Sequence, residues 1–151
     1  MTNARTVLLV DDSENDLFLL RLAFKKARFE IGLQECHDGE EAIKYLAGDE
    51  PYTDRAVYPL PAAMLLDLNM PRKNGFDVLS WVRGRSDFSR ITIIIITASL
   101  RVEDVERAYA SGANQFLVKP GTLDGLVSMI VSLRDWLAIC QFPPGNEMVN
   151  R

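Results

Sequence analysis

The sequence predicts a single α/β domain in which five parallel strands alternate with five helices. Three observations carry that reading. Short apolar runs alternate along the chain with segments whose apolar residues recur at spacings of three and four, the pattern of βαβ units. Four of the runs stop at a polar group: residues 7–10 at Asp11-Asp12, 62–66 at Asp67, 91–96 at Thr97 and 116–118 at Lys119-Pro120. The length of 151 residues at 48% hydrophobic content suits one core and leaves no room for a second domain of ordinary size.

Thr6–Val10 is the first predicted strand. Ser13 then caps a helix whose Leu17, Leu20, Ala23, Phe24 and Ala27 form one stripe, with Arg21, Lys25 and Lys26 between them. Residues 31–36 are a weaker second strand. Asp38-Gly39 opens a short helix that buries Ala42, Ile43 and Leu46, and Gly48 ends it. From 49 to 61, prolines at 51, 59 and 61 leave little room for regular structure. Loops of this length in compact domains often have a function, here either a partner-binding surface or a tolerated insertion, since surface loops lengthen at little thermodynamic cost.

Residues 62–66 are apolar without alternation, as in a strand covered on both faces. A loop over 69–74 leads to a helix at Gly75–Arg83 with Phe76, Val78, Leu79 and Val82 for burial. Residues 91–96 are the most β-branched stretch and predict a central strand that buries more than any other. A helix over 102–111 has a thin apolar side of Val105, Ala108 and Tyr109 and stops at Gly112. Gln115–Val118 is the last strand, and a helix over 123–137 carries Leu126, Val127, Ile130, Leu133 and Leu137 on one stripe. Five such alternations give a flavodoxin-like, doubly wound five-stranded parallel sheet. Its domain is expected over 1–138, followed by a tail at 139–151 that contains Pro143-Pro144-Gly145.

In an open parallel sheet the carboxyl ends of the strands face one crevice. Three carboxylates, a hydroxyl and an ammonium therefore converge. Two unit charges about 4 Å apart at an effective dielectric near 20 repel by about 4 kcal/mol, so Asp11, Asp12 and Asp67 need a cation or a proton to coexist. Hard oxygen donors without imidazole or thiolate favour Mg2+, which keeps several waters and accepts phosphate oxygens. Calcium fits less well, because no 12-residue wrapping loop is present. A metal beside a carboxylate nucleophile, faced by an ammonium, suits phosphoryl transfer. Asp67, alone at its strand end, is the expected nucleophile, with Asp11 and Asp12 on the metal side. Thr97 can donate to a phosphoryl oxygen and Lys119 can pair with it. A cis Lys119-Pro120 bond, an isomer found at about 5–6% of X–Pro bonds, would aim the lysine into the crevice.

The same residues resemble the receiver domain of two-component response regulators over residues 6–138. Asp11-Asp12, Asp67 with Leu68-Asn69-Met70-Pro71 and Gly75, Thr97-Ala98 and Lys119-Pro120 stand in that family's order and strand context. The resemblance implies a CheY-like fold in which Asp67 accepts a phosphoryl group from a sensor histidine kinase. It also implies Mg2+ held by Asp12, Asp67 and the Asn69 backbone carbonyl, with Asp11 acting largely through water. Thr97 and Lys119 would sense the phosphate, and Phe116 matches the family's aromatic switch position. Ser13-Glu14-Asn15-Asp16, the proline-flanked 51–61 insertion and the 67–75 segment further resemble the small regulators that partner bacterial phytochromes, often lone receivers that dimerise. The implied protein is a phosphoacceptor with self-catalysed phosphotransfer and dephosphorylation, not an enzyme with a separate substrate.

Other classes fit less well. An FMN carrier wants backbone N–H groups and hydroxyls after the first strand, where this chain has two carboxylates. An aspartyl-phosphate hydrolase needs a second acid near its nucleophile, and the residue two beyond Asp67 is the neutral Asn69. A receiver fold acting by protein contact alone, without phosphorylation, is the remaining alternative. A net charge of -4 and a pI near 5.0 argue against nucleic-acid binding. No run approaches the ~18 apolar residues of a membrane span and no secretory leader is evident, which predicts a cytoplasmic protein. Cys36 and Cys140 are expected to be reduced thiols and His37 a turn residue. Trp81, Trp136 and Phe142 are expected in packing, the last two with Leu137 also as a dimer contact.

Overall fold

The computed structural model describes residues 5–140. Its strands are β1 (Thr6–Val10), β2 (Gly32–Cys36), β3 (Ala63–Leu66), β4 (Thr92–Thr97) and β5 (Gln115–Val118). Its helices are α1 (Glu14–Lys26), α2 (Gly39–Ala47), α3 (Gly75–Arg83), α4 (Val102–Ala110) and α5 (Leu123–Ile139). The sheet is wholly parallel in the order β2-β1-β3-β4-β5, so the strand order reverses between β1 and β3. In such a sheet the crevice beyond the strand ends at the reversal is where ligands bind.

Strand periodicity divides the core into two layers. Leu8, Val10, Met64, Leu66, Ile93 and Ile95 point to the side covered by α2, α3 and α4. Val7, Leu9, Ala63, Leu65, Ile94 and Ile96 point to α1 and α5. The inner strands thus spend every residue but Thr92 on burial, which is why the runs read as continuously apolar. β4 is internal as its composition predicts, but it is not uniquely buried. β1 and β3 are buried along their whole lengths, whereas β4 is partly exposed at Thr92.

Caps fix the helix starts. Ser13 accepts from the Asp16 amide, Asp38 from Glu41 and Thr122 from Gly125, while Asn74 and Asp77 form a reciprocal capping box. α5 runs two residues past its predicted end, to Ile139. A 3-10 turn at Ser86–Phe88, not predicted, brings Phe88 under Trp81 with ring centroids 5.5 Å apart. α4 is more loosely seated than its sequence suggests, with Ala108 its one fully buried residue and Tyr109 exposed. Its hold comes from polar and cationic contacts instead. Arg107 stacks 4.0 Å from the Phe76 ring centroid, and the Tyr109 hydroxyl accepts from the Phe116 amide at 3.1 Å.

The segment after α2 has no helix or strand, yet it is anchored. Gly48 adopts the left-handed conformation that ends α2. Arg55 then donates to the carbonyls of Tyr45 and Leu46 in the last turn of α2 at 2.7–2.8 Å, and to the loop's own Tyr58 carbonyl at 3.2 Å. Tyr45, Tyr52 and Tyr58 pack on one another, and the Tyr45 hydroxyl donates to the Pro59 carbonyl at 2.8 Å.

On the far edge of the sheet, β5 and α5 enclose an apolar groove of about 380 Å³ lined by Leu117, Met129, Leu133 and Trp136. Trp136 is therefore partly exposed and not a core residue, because its position lies at the open edge of the α5 stripe. Phe142, like the rest of the predicted tail beyond Cys140, lies outside the described residues. Both cysteines are free, and burial pushes the Cys36 thiol pKa upward. Among the described residues no helix is long and apolar enough to cross a membrane.

Candidate functional site

Hydrogen bonds that extend the sheet beyond its strands place the site residues. The Asp11 amide donates to the Cys36 carbonyl, the Asp67 amide to Val10 and the Lys119 amide to Thr97, at 2.8–3.1 Å. Each polar residue thus sits one step beyond an apolar run, fixed by the neighbouring strand's last carbonyl. Gly75 makes this packing possible. A Cβ there would lie 2.4 Å from the Asp67 carbonyl oxygen and 2.8 Å from the Leu68 Cα, both backbone atoms that cannot swing away. Gly75→Ala is expected to displace the Asp67 loop, cost about 1–3 kcal/mol and weaken any ligand of the crevice. A urea melt with a Mg2+ titration checks both effects, and an unchanged melt would remove the close approach from the account.

All the residues predicted from the strand ends meet in one place. Carboxylate oxygens of Asp11, Asp12 and Asp67 lie within 4.8 Å of one another. Asp11 is 2% and Asp67 5% exposed, whereas Asp12 faces solvent. Thr97 is fully buried and its hydroxyl hydrogen-bonds to the Asp67 carboxylate. The Asn69 amide lies 3.5 Å from Asp67 Oδ1, and the Asn69 side chain is exposed. The Lys119 ammonium stands 2.7 Å from Asp11 Oδ2 and 3.6 Å from Asp67 Oδ2. It reaches the crevice from a trans Lys119-Pro120 bond, so the cis isomer is not what aims it.

Sequence reasoning missed one member. Asp16, in the first turn of α1, accepts from the Lys119 ammonium at 2.8 Å. An acidic residue in a first helical turn ordinarily complements the helix dipole, which gave no reason to place it in the crevice. Asp11 is also doubly engaged, since its Oδ1 accepts from the Ser13 amide at 2.9 Å. Beside the site, Ser99 donates to Asp104 on α4 and its amide lies 3.5 Å from the Thr97 hydroxyl. A polar chain therefore runs from Asp67 through Thr97 to α4. Phe116 is half-buried against the core on the α4 side.

The electrostatics are those of an under-neutralised anionic pocket. Desolvation raises the Asp67 pKa from its ordinary value, with Asp11 adding to the rise, while Lys119, Thr97 and the Asn69 amide partly offset it. Burial alone would lower the Lys119 pKa, but its bonds to Asp11 and Asp16 and the charge of Asp67 raise it, so the ammonium stays charged. Three carboxylate donors of hard oxygen, one buried pair and one open to solvent, form a donor set that fits an octahedral divalent cation retaining water.

Comparison with known proteins points to one family. The family model described as response regulator receiver domain matches residues 7–131. Response regulator Rcp1 of Synechocystis sp. is 31% identical over 140 residues, covering 92% of this chain and 93% of that protein. The crystal structure of the Mn2+-bound form of response regulator Rcp1 superposes with a TM-score of 0.81 over 92% of this chain and 99% of that one. Response regulator RPA3017, in red light signaling of R. palustris, is 33% identical with a TM-score of 0.86, over 92% and 98% of the two chains. The phosphorylated cyanobacterial phytochrome response regulator RcpA is 26% identical with a TM-score of 0.84, again over 92% and 98%.

Proposed function

From the premise that this chain belongs to the response regulator receiver domain family, we propose that it is a stand-alone phosphorylation switch acting with a phytochrome-type sensor histidine kinase. Asp67 is the phosphoacceptor. The observation that carries this reading is the convergence of Asp11, Asp12, Asp67, Thr97 and Lys119 beyond the strand ends at the sheet's reversal point.

Asp11, Asp12 and Asp67, with the Asn69 backbone, would hold Mg2+, which supplies charge neutralisation for the transferring phosphoryl group. The chain's own residues do the rest. Asp67 Oδ attacks phosphorus as the bond to the kinase's histidine nitrogen breaks, and the phosphoryl group passes to the carboxylate. Lys119 pairs with a phosphoryl oxygen, and the Thr97 hydroxyl transfers its hydrogen bond from the carboxylate to the phosphoryl group. That transfer loosens the contact between Thr97 and the Ser99 amide, and so biases the shallowly seated α4 and the Phe116 strand. Water attack on the aspartyl phosphate, past Asn69 and Ser99, resets the switch.

The relatives named for phytochrome and red light signalling support the choice of kinase. The groove under Trp136, on an unpartnered sheet edge, supports a homodimer as the working form. The net charge of -4 and the pI near 5.0 support signalling by protein contact and not by binding nucleic acid, and a cytoplasmic location is part of this reading.

Transfer from a radiolabelled, autophosphorylated bacterial phytochrome kinase tests the pairing. Label is expected to leave the kinase and appear on this chain within seconds, only with Mg2+ present. If acetyl phosphate labels the chain but the kinase does not, the phosphoacceptor reading stands and the phytochrome partner fails. If neither does, a receiver fold working by contact alone becomes the better account.

A further inference from the structure

Lys119 divides its charge between two partners of different kinds. Asp11 belongs to the acidic cluster at the strand ends, whereas Asp16 belongs to α1 and lies outside that cluster. The two contacts are nearly equal, at 2.7 and 2.8 Å, and the distance to Asp67 is 0.8 Å longer than the second (3.6 against 2.8 Å). The ammonium has three donors, two of which are committed. A divalent cation that binds Asp11 and Asp67 competes for the same carboxylates and repels the ammonium. Without Asp16, the lysine's remaining partners would be the metal's own ligands. With it, the ammonium keeps one carboxylate that the cation does not claim.

We propose that Asp16 is a positioning residue that retains the Lys119 ammonium while Asp11 and Asp67 turn to the divalent cation, so that the lysine and the metal occupy the crevice together. This rests on the reading of the crevice as a Mg2+ site. In that arrangement Asp16 holds the lysine one short step from Asp67, ready for a phosphoryl oxygen. It does so from the half-exposed first turn of α1, where its own side chain is 36% accessible and can follow the ammonium as it moves.

The test is Mg2+ affinity measured by titration calorimetry on the full chain, which does not depend on phosphoryl transfer. Asp16→Asn preserves the helix start and removes the charge. It is expected to raise the Mg2+ Kd roughly three- to tenfold, the range of a part-buried ion pair, because Lys119 then settles on Asp11 and Asp67. The same substitution in a Lys119→Met background is expected to change the Kd less than about twofold, since no ammonium remains to be held. Glu14→Gln, which removes a charge from the same helical turn without touching Lys119, controls for field effects. An equal rise in both backgrounds, or an equal rise for Glu14→Gln, would show a simple charge effect and overturn the inference. So would a wild-type Kd unchanged by Asp16→Asn. If the wild type itself binds no Mg2+, the reading of the crevice fails first, and the positioning role with it.

Discussion

Asp67→Asn is expected to abolish Mg2+-dependent phosphoryl uptake to background and, in the absence of metal, to raise the melting temperature. The first effect follows from chemistry. An amide oxygen is no nucleophile at phosphorus under conditions where a carboxylate is, and among the described residues no other carboxylate is both buried at the strand ends and hydrogen-bonded to Thr97. The second follows from linkage. Burial raises the Asp67 pKa in the folded protein, so its favourable contribution is present below the unfolded value of about 3.9 and is lost as pH rises through the folded one. At neutral pH the wild type therefore carries an ionised group that folding disfavours, and the neutral isostere removes that cost. The advantage of the variant should shrink as pH is lowered towards 4. Thermal melts of both proteins at pH 7.5 and pH 4.5, with EDTA present, measure the difference. A variant less stable than wild type at pH 7.5 would mean that Lys119 and Thr97 outweigh desolvation.

Lys119→Met is expected to act in the opposite direction on stability. Removing the ammonium leaves Asp11, 2% exposed, and Asp67, 5% exposed, facing each other with no cation between them. Breaking a buried pair by deleting one partner costs about 3–5 kcal/mol, and the lower end applies because Lys119 is part-exposed. At roughly 2–4 °C per kcal/mol for a domain of this size, the melting temperature should fall by roughly 6–12 °C. The Lys119 pKa is raised, so this stabilisation is present throughout the physiological range and is lost only as pH rises past the unfolded value of about 10.4 towards the folded one. Millimolar Mg2+ should restore much of the loss, since a divalent cation can replace the ammonium among the carboxylates. The variant should still gain phosphate but fail to pass the change to α4. Differential scanning with and without Mg2+ checks the stability, and a loss that Mg2+ does not relieve would place the lysine's role in packing.

How much of this was legible in the chain follows from what each residue's neighbours say about it. Asp67, Thr97 and Lys119 were legible because each interrupts an apolar run, and in a parallel sheet the ends of such runs share one side. Asp16 was not, because its helical position has an ordinary explanation and its partner is 103 residues away. The two-layer core was legible from the strands, whose unbroken apolar runs require cover on both faces. The seating of α4 was less so. Val105 and Tyr109 look like one apolar side, but the helix is held by an arginine on Phe76 and a tyrosine hydroxyl on the β5 edge, contacts that no periodicity encodes. The 49–61 segment was recognisable as a loop from its prolines. That it is pinned to α2 depends on Arg55 meeting two of that helix's carbonyls, Tyr45 and Leu46, a match that exists only once the chain has turned back. The partial exposure of Trp136 was likewise hidden, since a stripe does not reveal where its cover ends.

These features describe one device. Burial makes the Asp67 carboxylate costly, Lys119 offsets part of that cost, and in the proposed reading a cation and a phosphoryl group take up the remainder. The most direct test is the intact mass of the protein after incubation with acetyl phosphate and Mg2+, followed by tryptic mapping. The account predicts a gain of about 80 Da, one phosphoryl group, carried by the peptide 56–72, in which Asp67 is the sole carboxylate. No gain in mass, or a gain on any other peptide, would contradict it.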